Sequence, residues 1–116
     1  MICYRKEDIE DLKKHDGAYY VPNALFDTMQ YKLVRLEVKW AYVACLNVLL
    51  QSPSYDREGY AFIKDDHPQV IEVLKDLANK KVNQVKIQGY IDEMENLELL
   101  ERKGRDIYLK KMSQVF

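Results

Sequence analysis

The chain has 116 residues, 47% hydrophobic and 32% charged, with a formal net charge of −1, which gives one domain with one core and excludes a disordered tail protein. The longest apolar stretch, Val38 to Leu50, is broken by Lys39 and Asn47 and is too short to cross a bilayer. Tyr4 to Lys14 is a run of mixed charge where a signal peptide would carry an apolar block, so the cytoplasm is the expected compartment.

Residues 5–14, RKEDIEDLKK, have only Ile9 and Leu12 as apolar anchors on a helix otherwise made of charges. Such a short helix is marginal alone, so residues 1–17 are expected to form a charged N-terminal segment that orders in a dimer contact, and 18–116 to form the folded domain. Ala18 to Val21 is extended and Pro22 permits a helix after it, through Leu25 and Phe26. Tyr19, Tyr20 and Tyr31 are read as packing residues, because no basic residues interleave with the first two. Leu36 to Gln51 is apolar nearly all round and is expected to be the buried central helix, with Trp40 in the core. Ser52, Pro53 and Ser54 stop it, and Tyr55 to Gly59 make a turn.

Tyr60 to Lys64 alternates and is β-prone, a strand in need of partners. Asp65 or Asp66 and then Pro68 mark the start of another helix, with Val70, Val73, Leu74 and Leu77 as its apolar stripe and its end at Asn79 to Lys81. Asn83 caps the next helix, which places Ile87, Tyr90, Ile91, Met94 and Leu97 on one face. Leu99 and Leu100 then begin a hairpin that turns at Lys103 to Arg105 and returns through Ile107 and Leu109.

Two helices joined by a short turn, the second running into a basic-tipped hairpin, describe a winged helix-turn-helix. The expected fold class is therefore α+β, mainly α, with a central buried helix and a small antiparallel sheet and wing. The charge distribution agrees: residues 80–111 hold eight basic against six acidic residues, while the remainder is acidic.

In this order the chain resembles the N-terminal domain of the RepA-type plasmid replication initiators of Gram-positive bacteria, over about Tyr19 to Met112. The resemblance is carried by Tyr20, Val21, Pro22, Leu25 and Phe26, by Lys39, Tyr42 and Leu46 in the long helix, and by Asp56, Gly59, Phe62 and Ile63 around a turn and strand. It implies a winged-helix module that binds repeated origin sites as a dimer or higher assembly, in a fragment of an initiator or a small stand-alone relative. Winged helices often carry Gly-Val-Ser before the recognition helix, where this chain has Lys81, Val82 and Asn83; the cap survives and the glycine does not. Asp92, Glu93 and Glu95 make the second half of the helix acidic, so base contact is expected from its first turns only.

On that helix Asn83, Gln84, Lys86 and Gln88 are the candidates for base contact, with Gly89 allowing close approach. Asn and Gln side chains bond adenine edges bidentately, and Lys suits guanine or phosphate. Lys80, Lys81, Arg102, Lys103 and Arg105 are the candidates for phosphate contact. No catalytic set, cofactor or metal is expected: His15 and His67 have no Cys or His at ligand spacing, and no glycine-rich phosphate loop is present. Cys3 and Cys45 are expected to be inert thiols rather than a disulfide. The expected partners are double-stranded DNA, a second copy and other replication proteins. The alternative functions are a winged-helix transcriptional regulator and a protein-interaction module of a replication or primosome assembly.

Overall fold

The axis of the molecule is α3, Leu36–Gln51, whose bounds are those the sequence predicts. In the computed structural model residues 2–14, 20–77 and 84–112 are described, all but 77 and 84–87 with their side chains. Val38, Ala41, Tyr42, Val43, Cys45, Leu46 and Leu49 of α3 are fully enclosed. Trp40 is not: it stays 38% exposed and stacks on Phe26 at 5.2 Å. Lys39 is buried in its place, with its ammonium 5.5 Å from the centre of the Phe26 ring. A helix apolar on every side does not announce which residue faces out, and the cation–π contact is what lets a lysine take the inner position. Asn47 is buried because its amide is satisfied, accepting from the Tyr20 N–H and donating to the carbonyls of Tyr20 and Val43, each at 2.8 Å. This bond set pins the extended chain ahead of α2, Asn23–Asp27, and the 3-10 turn Met29–Tyr31.

The sheet is antiparallel in the order β1 (Ser54–Tyr55), β2 (Ala61–Lys64), β4 (Asp106–Leu109), β3 (Leu100–Lys103). The strand at residues 60–64 thus finds its partner in the hairpin, as Ile63 lies opposite Ile107. Before β2 the chain turns on Asp56, whose Oδ1 accepts the N–H groups of Glu58 and Tyr60, both at 2.9 Å. Gly59 closes the turn at φ +86°, a conformation that favours glycine, and a Cβ there would stand 3.3 Å from the Arg5 guanidinium.

The N-terminal residues 3–13 pack within the chain. Beyond Ile63 and Ile107 the strands β2 and β4 diverge, and residues 3–5 fill the gap: Tyr4 donates its N–H to Leu109 at 3.3 Å and accepts from Ala61 at 3.0 Å. Cys3 and Tyr4 are buried there, and Ile9 of α1, Lys6–Lys13, is enclosed in the same core as α3. The Tyr42 hydroxyl donates to the Lys110 carbonyl at 2.5 Å and lies 3.4 Å from the Tyr4 hydroxyl, which accepts the Met112 N–H. Counting only the anchors of α1 misses Cys3 and Tyr4, which supply the strand that α1 hangs from.

Candidate nucleic-acid interface

The helix-turn-helix consists of α4, Pro68–Leu77, and α5, Gln84–Asn96. Val70 and Leu74 of α4 are buried toward α3, and Tyr90, Ile91 and Met94 fix the inner face of α5. His67, not Asp65 or Asp66, caps α4: its Nδ1 accepts the Gln69 N–H at 3.1 Å and its carbonyl accepts from Ile71 at 3.1 Å. The aspartates are held elsewhere, because the wing reaches them. Asp65 donates its N–H to the Arg105 carbonyl at 2.8 Å, and the Asp66 carboxylate pairs with Arg105 at 2.8 Å.

How α5 ends decides where the wing goes. Glu98 adopts the left-handed conformation at φ +59°, Leu99 donates its N–H to Met94 at 2.9 Å and Glu98 donates to Glu95 at 3.1 Å. These bonds make a Schellman motif, with the enclosed side chains of Leu99 and Met94 in the positions of its apolar contact. Leu97 corrects the helical reading: it lies past the last turn and is exposed, since the chain has already left the helical face. The reversal sends the chain straight into β3. The loop to β4 has two residues, with Gly104 first at φ +61°, the pattern of a II′ hairpin turn.

The charges sort into two groups. Along the second half of α5, Glu93 receives Arg35 on both oxygens, at 2.7 and 3.0 Å, and this holds its carboxyl below the usual range. Asp92 and Glu95 both face Arg102 of β3, the latter at 3.4 Å. Tyr90 bonds Glu37 of α3, and burial together with that carboxylate pushes the phenol up to about 12. The acidic stretch of α5 is thus held by two arginines of the scaffold, which offset part of its charge. At the wing tip Lys103 lies 5.1 Å over the Tyr108 ring and, among the described residues, has no carboxylate partner; Arg105 is 73% exposed.

Of the residues singled out in the sequence, Lys80, Lys81 and Asn83 lie outside the described residues. Gln84 and Lys86 occupy the first turn of α5, where the backbone alone is described. Gln88 is half-buried and Gly89 exposed with open space where a Cβ would stand, so packing gives no reason for this glycine. Arg102, Lys103 and Arg105 are brought together on the hairpin, but Arg102 turns toward α5. Arg35 and Asp66, far along the chain from Glu93 and Arg105, carry no local signal as their partners; for Arg102 the signal is the i, i+3 spacing of Asp92 and Glu95, which puts two carboxylates on one helix face. Cys3 and Cys45 are free and buried, and burial pushes the Cys45 thiol up to about 12. Among the described residues no helix is long and apolar enough to cross a membrane, and no group of three metal-ligating side chains converges.

Helix-turn-helix, hairpin wing and central helix together define a winged helix of mainly helical α+β class, the fold that the RepA-type resemblance implies. No family model matches the chain and no curated protein matches it. Among solved structures, the chain is similar to one described as "Structure of MDR initiator", with 25% identity and a TM-score of 0.59 over 95% of this chain and 86% of that one. It shares its fold with "Structure of Rep-DNA complex" (24% identity, TM-score 0.59, 90% of this chain and 80% of that one). The same holds for "N-Terminal domain of DNA binding protein" (23%, 0.56, 90% and 80%).

Proposed function

We propose that this chain is the origin-binding domain of a RepA-type plasmid replication initiator, which grips double-stranded DNA as a homodimer in the cytoplasm and reads repeated sites in sequence. The observation that carries this reading is the wing tip, where Lys103 has no carboxylate partner among the described residues and Arg105 is 73% exposed; the first turn of α5 carries no acid, and Arg35 and Arg102 offset part of the charge of the acids further along that helix. Gln84 and Lys86, with Gln88, Asn83 and Gly89, are assigned to the major groove; Lys103 and Arg105, with Lys80 and Lys81, are assigned to phosphates. The likeness to an initiator over 95% of the chain supports the same reading.

Fluorescence anisotropy on random duplex across a salt series tests it. Affinity should fall steeply with salt, by a slope of roughly 0.9 per phosphate contact. On a site selected from a random pool, Lys86→Ala or Gln84→Ala should cost about 1 to 3 kcal/mol and blur one or two base pairs, with little change on random duplex. A second reading, a protein-interaction module, draws on an open cleft of about 430 Å3 beside α4, lined by Asp66, Pro68, Ile71, Glu72, Lys75 and Asp76. Absence of any salt-dependent DNA binding by the wild-type chain would transfer the assignment to that module.

A further inference from the structure

We infer that Met29, Leu33, Leu36 and Trp40 form the contact through which two copies of this chain pair about a two-fold axis. The inference names the surface of the homodimer proposed above and takes its consequence for DNA from that reading. Four of the seven large apolar side chains that the described residues leave exposed fall within these twelve residues, with Met29 at 78%, Leu33 at 97% and Leu36 at 62%. Leu36 and Trp40 stand one turn apart on the outer face of α3, Trp40 rests on Phe26, and Leu33 lies in the turn that feeds α3. Scattered apolar residues need no partner, but a cluster of this kind marks an interaction surface.

The charges around the cluster point to a second copy as the occupant. Arg35, Glu37 and Lys39 are already engaged within the chain, by Glu93, Tyr90 and Phe26. Asp27 at the end of α2 and Lys32 at the end of the 3-10 turn are exposed, opposite in sign, and without an ion pair among the described residues; they flank Met29. A two-fold contact requires a surface complementary to itself, and here each copy offers its lysine to the Asp27 of the other. The pairing also sets the reading geometry. Because Arg35 and Glu37 at the start of α3 bond Glu93 and Tyr90 of α5, joining the two α3 ends fixes the separation of the two α5 helices.

Sedimentation velocity over a concentration series, without DNA, tests the pairing independently of DNA binding. The wild-type chain should self-associate, and Leu33→Glu or Leu36→Glu, at exposed positions that leave the unfolding midpoint unchanged, should weaken association by about tenfold or more. Asp27→Lys and Lys32→Asp should each weaken it, and the two combined should restore it. A wild-type chain that stays monomeric, glutamate variants that associate normally, or a charge swap that fails to restore association would each overturn the inference. Loss of DNA binding with association intact would instead overturn only the reading of the α5 face.

Discussion

Arg102 at the base of the wing has a side chain only 20% exposed and is bonded to Asp92 and Glu95 of α5, whereas Arg105 at the tip is 73% exposed and is held by Asp66 alone. The two stand three residues apart in one hairpin and carry the same charge. What separates them is where the rest of the fold fixes the side chains: the base of the wing is set by the Schellman turn at Glu98 and by residues 3–5 wedged beside β4, while at the tip the backbone is tied to Asp65 and the Arg105 side chain is held by a solvent-exposed pair. A basic residue on a wing is therefore not by that fact a phosphate ligand. Burial and partner decide, and they make Arg102 a strut and leave the side chains of Lys103 and Arg105 in solvent-facing contacts that exchange easily.

The largest test of the fixed base removes its wedge. A chain begun at Ala18 loses Tyr4 and Ile9 from the core and opens the gap between β2 and β4, which should cost on the order of 5 kcal/mol or more, enough to abolish a cooperative urea transition. An intact transition at the wild-type midpoint would return residues 1–17 to the status of an appendage. Next in size, Arg102→Ala should lower stability by about 1 kcal/mol through lost ion pairs and stem packing, while Arg105→Ala should stay within about 0.5 kcal/mol. Equal losses in chemical denaturation would erase the contrast between base and tip. Glu98→Gly works in the opposite direction. It relieves a left-handed residue at the helix end and should raise stability by about 0.5 to 1 kcal/mol.

The smallest effect concerns acid. Burial raises the Asp8 carboxyl, but Lys111 at 2.7 Å and the Arg5 N–H at 2.9 Å outweigh it, and the net direction is down. A depressed carboxylate contributes stability that is present above its unfolded value of about 3.9 and is lost as pH falls through the folded value. Asp8→Asn should therefore flatten the acid limb of the stability curve below about pH 4 and leave its shape near neutrality unchanged; an identical acid limb in the variant would show that Asp8 is not ion-paired.

The sequence makes α3, the strand after Gly59 and the hairpin legible because each has a local period or a turn residue that only one geometry accepts. It does not place Tyr4, whose partners Ala61 and Leu109 are far along the chain, nor choose between Lys39 and Trp40 on a helix without a polar face. The wing tip was legible from Gly104 and its flanking charges. The strut was not, since the bond from Arg102 to Asp92 depends on how the Schellman turn at Glu98 aims β3 back along α5.

The central claim is that the wing tip meets phosphate and the wing base does not. It is tested most directly by the salt dependence of duplex binding for three proteins: wild type, Arg102→Gln, and Lys103→Gln combined with Arg105→Gln. The account predicts that the tip variant flattens the slope of log affinity against log salt by roughly 0.9 per lost contact, on cognate and random duplex alike, while Arg102→Gln leaves the slope unchanged. A slope that falls for Arg102→Gln and holds for the tip variant would contradict it.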